Sequence, residues 1–224
     1  VGRRRDCYHE LQTALQFIHL WCSIRFYQRP PGVIERVGVL PGVAAKDDLV
    51  VRAAHCLAAA AAETGVPLRQ GVAIEVDKQL PMGGGVGGGS SDAATVLVGL
   101  NCLWETGFSR ERLAEIGLSL GADIPVFVQG HAAWAEGVGE RLVPVDFPER
   151  VYLLLQPEVA ISTAEVFKAP ELTRDSPVIT ITGFLQTGGR NDCESVVRRR
   201  YPVVADALDW LGRHGPARLT GTGS

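Results

Sequence analysis

Between Leu80 and Asn101 the chain reads LPMGGGVGGGSSDAATVLVGLN, and this stretch limits the fold more than any other. Six glycines fall within seven positions (Gly83, Gly84, Gly85, Gly87, Gly88 and Gly89), followed by Ser90, Ser91, Asp92 and an apolar run from Ala93 to Leu103. Glycine weakens any helix or strand it occupies, so this segment is a loop. The apolar run after it reads as a helix, with Ser90 or Ser91 as N-cap and Asp92 in its first turn. Val72, Ile74 and Val76 mark a strand ahead of it. A loop without side chains lets backbone N–H groups converge on an anion. The helix behind it adds roughly half a positive charge at its N-terminus. That is chemistry for a phosphate.

Three other readings are weaker. A flexible Gly/Ser linker would not be framed by a strand and a helix. Gly83, Gly85 and Gly88 satisfy the G-x-G-x-x-G of a dinucleotide-binding turn. The preceding GVAIEVDKQL argues against it, because Glu75 and Asp77 alternate with apolar residues as on a sheet with one wet face. The first strand of a doubly wound sheet is buried on both faces. A Walker loop is excluded because no Gly-Lys-Ser/Thr closes the segment.

Composition narrows the class. With 224 residues, 46% hydrophobic and 21% charged, the chain has the make-up of an ordinary globular protein, enough for one large core or two modest ones. A net charge of −3 gives no sign of nucleic-acid binding. The cysteines, Cys7, Cys22, Cys56, Cys102 and Cys193, form no C-x-x-C pair and read as reduced thiols in a cytoplasmic protein. No run of about 18 apolar residues predicts a membrane span.

Along the chain, Leu11, Ala14, Leu15 and Ile18 are spaced for a helix, and His19 to Phe26 alternates weakly as a strand. Asp48 caps an alanine-rich helix that Gly65 stops, with His55 as a partly buried structural histidine. Ser109 caps a further helix. Asp123, ahead of Pro125, is expected in a turn before a strand over Val126–Val128. HAAWAEGVGERLVPVD reads as a hairpin. VYLLLQPEV, from Val151, reads as a buried strand opening a second domain. Ser162 or Thr163 caps the next helix, and Pro202 breaks the last helical segment in two.

Taken together, the motifs resemble the GHMP kinase superfamily, and within it the 4-diphosphocytidyl-2-C-methyl-D-erythritol kinase family. PMGGGVGGGSSDAATVLVGLN resembles that family's phosphate loop, LGADIPVFVQGHAAWAEGVGE its second signature, DCYHELQT its D-G-Y-H-x-L-Q-T segment, and RLTGTGS its third glycine motif. The resemblance implies an α+β, two-domain kinase. Residues 1–148 would form a domain like ribosomal protein S5 domain 2, and residues 149–224 a ferredoxin-like domain. It implies transfer of phosphate from ATP, with Mg²⁺ bound to the nucleotide rather than in a dedicated metal site, to the 2-hydroxyl of 4-diphosphocytidyl-2-C-methyl-D-erythritol in the non-mevalonate isoprenoid pathway. Pro81, Met82, Gly83, Gly84, Gly85, Val86, Gly87, Gly88, Gly89, Ser90 and Ser91 would wrap the triphosphate. Asp123 would be the base. Tyr8, His9, Thr163 and Phe167 would hold the cytidine end. The expected protein is cytoplasmic (or in the plastid stroma of a plant or alga), a monomer or weak homodimer, with no nucleic-acid or membrane partner.

The sequence departs from the family in four places. The family's opening strand P-A-K-[IL]-N-L-x-L, whose lysine pairs with the catalytic aspartate, has no counterpart, and the closing strands of the second domain are missing. The chain is therefore expected to be truncated at both ends, with impaired activity. Cys7 replaces a family glycine. Asp48 replaces an asparagine near the adenine, exchanging an amide for an acceptor-only carboxylate. The alternatives are a homoserine- or mevalonate-type kinase, or a catalytically impaired nucleotide-binding fragment.

Overall fold

The computed structural model describes residues 11–38, 40, 43–80 and 85–223. In chain order the elements are β1 (Leu11–Leu15), β2 (Ser23–Arg29), β3 (Ile34–Arg36), α1 (Leu49–Glu63), β4 (Gly71–Asp77), α2 (Gly88–Leu103), α3 (Arg110–Leu118), α4 (Ile124–Gln129), β5 (Ala133–Gly137) and β6 (Arg141–Pro144). Four helices complete the chain: α5 (Thr163–Lys168), α6 (Ile181–Thr187), α7 (Glu194–Arg200) and α8 (Pro202–Gly212).

The described residues form two three-stranded sheets. In the first, β4 lies between β2, antiparallel to it, and β3, parallel to it. In the second, β5 lies between β1 and β6, antiparallel to both. The larger core forms where α1, α2, α3 and α4 close over the first sheet. Leu57, Ile74, Leu97, Leu100 and Ile124 are among its fully buried side chains. A separate core gathers Val166 of α5, Val196 and Val197 of α7, and Val204 and Leu208 of α8. The second sheet reaches α6 and the strandless stretch before it. Gln12 donates to the Ile179 carbonyl at 3.1 Å and accepts from its N–H at 3.0 Å, while the Trp134 and Phe184 rings pack at a tilt with centroids 5.3 Å apart.

Many predicted elements are present. Asp48 caps α1 by accepting the Val50 N–H, Ser109 caps α3 and Ser162 caps α5. The hairpin is β5–β6, and Pro202 separates α7 from α8.

Several expectations fail for local reasons. Leu11–Leu15 is a strand rather than a helix; five residues nucleate a helix poorly, and β5 offers a ladder. Val126–Val128 lies in helix α4, not a strand. Pro125 occupies its first turn, where a missing N–H breaks no intrahelical bond. Strand β4 is buried on both faces over Gly71–Ile74, because it is the central strand; only its end, from Glu75, is wetter. His55 is exposed. Most notably, residues 151–155 pair with no strand among the described residues. Val151, Tyr152, Leu153, Leu154 and Leu155 are all exposed, so an apolar run suited to burial on both faces is left largely open to solvent, with the Tyr152 hydroxyl donating to Gln16 at 2.8 Å.

Candidate active site

The glycine segment joins β4 to α2, and the helix starts earlier than the serines predict. Its first residue is Gly88, and its N-cap is Gly87, in the left-handed conformation at φ +68° with no side-chain cap. Ser90 and Ser91 therefore lie inside the first turn. The Ser91 N–H is bonded to the Gly87 carbonyl at 2.9 Å. The N–H groups of Gly88, Gly89 and Ser90 have no partner of that kind and no capping side chain among the described residues. Gly85 is also left-handed, at φ +63°, and a β-carbon there would lie 2.5 Å from the Thr220 carbonyl oxygen. At Gly87 it would lie 2.8 Å from the ring of Phe127. Glycine is needed at both positions for conformation and for space.

A charged pair sits beneath this turn. The Lys78 ammonium bonds to the carboxylate of buried Asp92, and its nitrogen lies 3.4 Å from the point a Gly88 β-carbon would occupy. A lysine at a helix N-terminus opposes the helix dipole, and Asp92 compensates it. Sequence reasoning missed Lys78. It placed Asp92 in the first turn, whereas Asp92 is one position further in and holds the lysine.

Asp123 stands at the N-terminus of α4. The helix is set closely against α3: a β-carbon at Gly117 would fall 2.5 Å from Ile124 Cγ2. Phe127, one turn beyond Asp123 on the same face, packs on Gly87. The second signature and the glycine turn thus share a contact. Asp123 caps nothing and makes no hydrogen bond or ion pair among the described residues. Much of its surface is exposed, yet the surrounding protein strips enough water from the carboxyl to push its pKa above the ordinary aspartate value.

On the far side, Thr163 opens α5 and its hydroxyl pairs with that of buried Thr222 at 2.8 Å. Phe167, one turn further along α5, is half-buried against the second core. Thr220, in the same RLTGTGS segment, donates its hydroxyl to the Gly85 carbonyl at 2.9 Å. The structure therefore connects Thr163 to the glycine loop through residues 220–222. Tyr8, His9, Pro81, Met82, Gly83, Gly84 and Cys7 lie outside the described residues.

Between β3 and the start of α1 a cleft of about 540 Å³ is lined by Ile34, Arg36, Lys46, Val51, Arg52 and His55, among others. Asp48 is at its wall, only 4% exposed. One carboxylate oxygen accepts the Val50 N–H at 3.1 Å, and the other accepts from Arg36. The acceptor that replaces the family's asparagine is engaged with its own helix and a guanidinium. Arg36 was not singled out in the sequence, because its partner lies across a loop. Among the described residues no His, Cys, Asp and Glu cluster of three or more is arranged to hold a metal ion.

Comparisons with known proteins bear on this arrangement. Residues 48–131 match the model of the GHMP kinases N terminal domain. The whole chain is 60% identical to 4-diphosphocytidyl-2-C-methyl-D-erythritol kinase of Halorhodospira halophila, covering 77% of that protein. It is 57% identical to the enzyme of the same name from Nitrosococcus oceani, covering 78% of it. The crystal structure of a 4-(cytidine 5'-diphospho)-2C-methyl-D-erythritol kinase superposes with a TM-score of 0.74 at 29% identity, over 99% of this chain and 81% of that one.

Proposed function

Because the chain belongs to the 4-diphosphocytidyl-2-C-methyl-D-erythritol kinase family of GHMP kinases, we propose that it transfers the γ-phosphoryl group of ATP to the 2-hydroxyl of 4-diphosphocytidyl-2-C-methyl-D-erythritol. The observation that carries this reading is the contact between an uncapped, glycine-built helix N-terminus and the helix that Asp123 immediately precedes, made by Phe127 on Gly87.

Phosphoryl transfer asks for in-line positioning and for stabilisation of the charge on the transferring oxygens by fixed dipoles. The amides of Gly88, Gly89 and Ser90 supply oriented donors, above the Lys78–Asp92 ion pair. Residues 81–91 wrap the triphosphate. Asp123 accepts the hydroxyl proton as the oxygen bonds to the γ-phosphorus and the bond to the bridging oxygen of ADP breaks. A raised carboxyl pKa makes Asp123 a stronger base than an ordinary aspartate, as long as it stays ionised. Magnesium, which accompanies ATP, neutralises phosphate charge; the hydroxyls of Ser90 and Ser91 are the groups of this chain suited to reach it. Tyr8, His9, Thr163 and Phe167 read the cytidine end, with the aromatic faces of Tyr8 and Phe167 against the pyrimidine.

The two separate cores support a division into a nucleotide domain, residues 1–148, and an acceptor domain, residues 149–224. No helix among the described residues is long and apolar enough to cross a membrane. The proposed enzyme acts in the cytoplasm as a monomer or weak homodimer. The test is ADP release from Mg-ATP with the diphosphocytidyl alcohol, homoserine or mevalonate as acceptor. Release only with the first, inhibited by cytidine nucleotides, is expected. Release with homoserine or mevalonate alone would overturn the substrate assignment.

A further inference from the structure

Asn191 lies just before α7, far in sequence from the chemistry above, and every polar atom of its side chain is in use. Its Nδ2 donates to the Leu219 carbonyl at 2.9 Å and to the Gly221 carbonyl at 2.7 Å, while its Oδ1 accepts the Cys193 N–H at 2.9 Å. Glu194, on the first turn of α7, accepts the Leu219 N–H at 3.3 Å. Three backbone groups flanking Thr220 are therefore held by two side chains. The turn is closed by the Gly223 N–H on the Thr220 carbonyl at 3.0 Å. From this fixed turn Thr220 reaches Gly85, donating its hydroxyl to the carbonyl and packing its own carbonyl where a side chain at Gly85 would lie.

We infer that Asn191 is a positioning residue for the phosphate loop, acting through Thr220 on Gly85. The inference rests on the proposal that this loop holds the phosphates of ATP. A peptide unit is planar and trans, so its carbonyl and the following N–H point in opposite directions. Fixing the Gly85 carbonyl toward Thr220 turns the Val86 N–H away from the 219–222 segment. Glycine on either side of Val86 would otherwise let that peptide rotate. A loop of left-handed glycines has little of its own to define its shape, and the Asn191 amide supplies the definition from outside. The same turn bonds Thr222 to Thr163, so one asparagine sets the spacing between the phosphate loop and α5.

The sharpest test is Asn191→Asp, which keeps size and the acceptor for Cys193 but turns two donated bonds into acceptor-to-acceptor contacts. Thr220→Val, which removes only the hydroxyl, is its partner. The measurements are calorimetric ATP affinity, hydrogen exchange of the peptide containing Val86, and the thermal midpoint, each against the unsubstituted chain. ATP affinity is expected to fall about tenfold in Asn191→Asp and several-fold in Thr220→Val, as for loss of one or two hydrogen bonds. The double variant should be no weaker than Asn191→Asp, and Val86 should exchange faster in all three. Failure of the unsubstituted chain to bind ATP would remove the underlying reading. Binding by that chain, with both variants within twofold of it, would overturn the role of Asn191 alone. A lowered midpoint at unchanged affinity would do the same, assigning Asn191 to the second core. If Asn191→Asp does not fold, Thr220→Val alone decides, because an unchanged affinity there breaks the link.

Discussion

The N-termini of α1 and α2 are neighbours, with Leu49 packed against Gly89, and they are finished in opposite ways. Both expose N–H groups that the helix itself does not use. At α1, Asp48 turns one oxygen on the Val50 N–H and gives the other to Arg36, in an ion pair that is almost wholly buried. At α2 there is only glycine, and the first-turn N–H groups are left without a side chain. One terminus is completed by its own chain; the other, on the function proposed above, is completed by the phosphate it binds. The difference teaches that a binding site can consist of an omitted cap: stability that α1 draws from Asp48 is, at α2, left to the ligand.

The largest effect is expected at the group that this contrast serves. Asp123→Asn should lower turnover by roughly a thousandfold, within the range for losing a general base, while ATP affinity stays within twofold. Next is the capped terminus. Asp48→Ala removes a cap and strands the Arg36 charge, and should destabilise the protein by about 3 kcal/mol in denaturant unfolding. Its ATP affinity, measured where the protein is folded, should change far less than that of any substitution at α2. Giving α2 a cap like that of α1 sharpens the contrast. Gly87→Ala, strained by its positive φ and by Phe127, should weaken ATP binding about tenfold. Gly87→Asp should weaken it roughly tenfold more, through competition and repulsion for the same N–H groups. Gly117→Ala, which presses on Ile124, should reduce stability by about 1–3 kcal/mol without any direct effect on the phosphate.

The smallest effect concerns pH. Desolvation raises the Asp123 pKa, so the folded protein holds that proton more tightly than the unfolded chain. The contribution favours folding below the ordinary aspartate pKa of about 3.9 and is lost as pH rises through the higher folded value. Asp123→Asn should therefore raise the thermal midpoint slightly at neutral pH. The gain should shrink as the pH is brought down toward that of an ordinary carboxylate. By the same shift, turnover of the unsubstituted chain should start to fall, on acidification, above the pH where a free aspartate titrates.

Much of this was legible in the sequence wherever the signal is local. Asp48, Ser109 and Ser162 cap the helices that their positions predict, because an N-cap acts within three residues. The glycine loop and the β5–β6 hairpin carry their own turn chemistry. Reading failed where two local solutions were equally good and a distant neighbour decided. Leu11–Leu15 is a strand because β5 is there to pair with it. Val126–Val128 is helical because Pro125 starts a helix as readily as it stops one, and the short apolar run carries no period of its own. Residues 151–155 show the converse, an apolar pattern that predicts a partner strand found nowhere among the described residues. In the site, Lys78–Asp92, Arg36–Asp48 and Asn191 with residues 219–221 join groups 12 to 30 positions apart. No spacing rule links such pairs.

The most direct measurement is the backbone amide spectrum of the ¹⁵N-labelled chain during addition of Mg-ADP. The account predicts that the Gly88, Gly89 and Ser90 amide protons move strongly downfield as they bond to phosphate, while the capped amide of Val50 on neighbouring α1 moves little. Equal shifts at both termini, or shifts confined to α1 with Gly88, Gly89 and Ser90 unmoved, would contradict it.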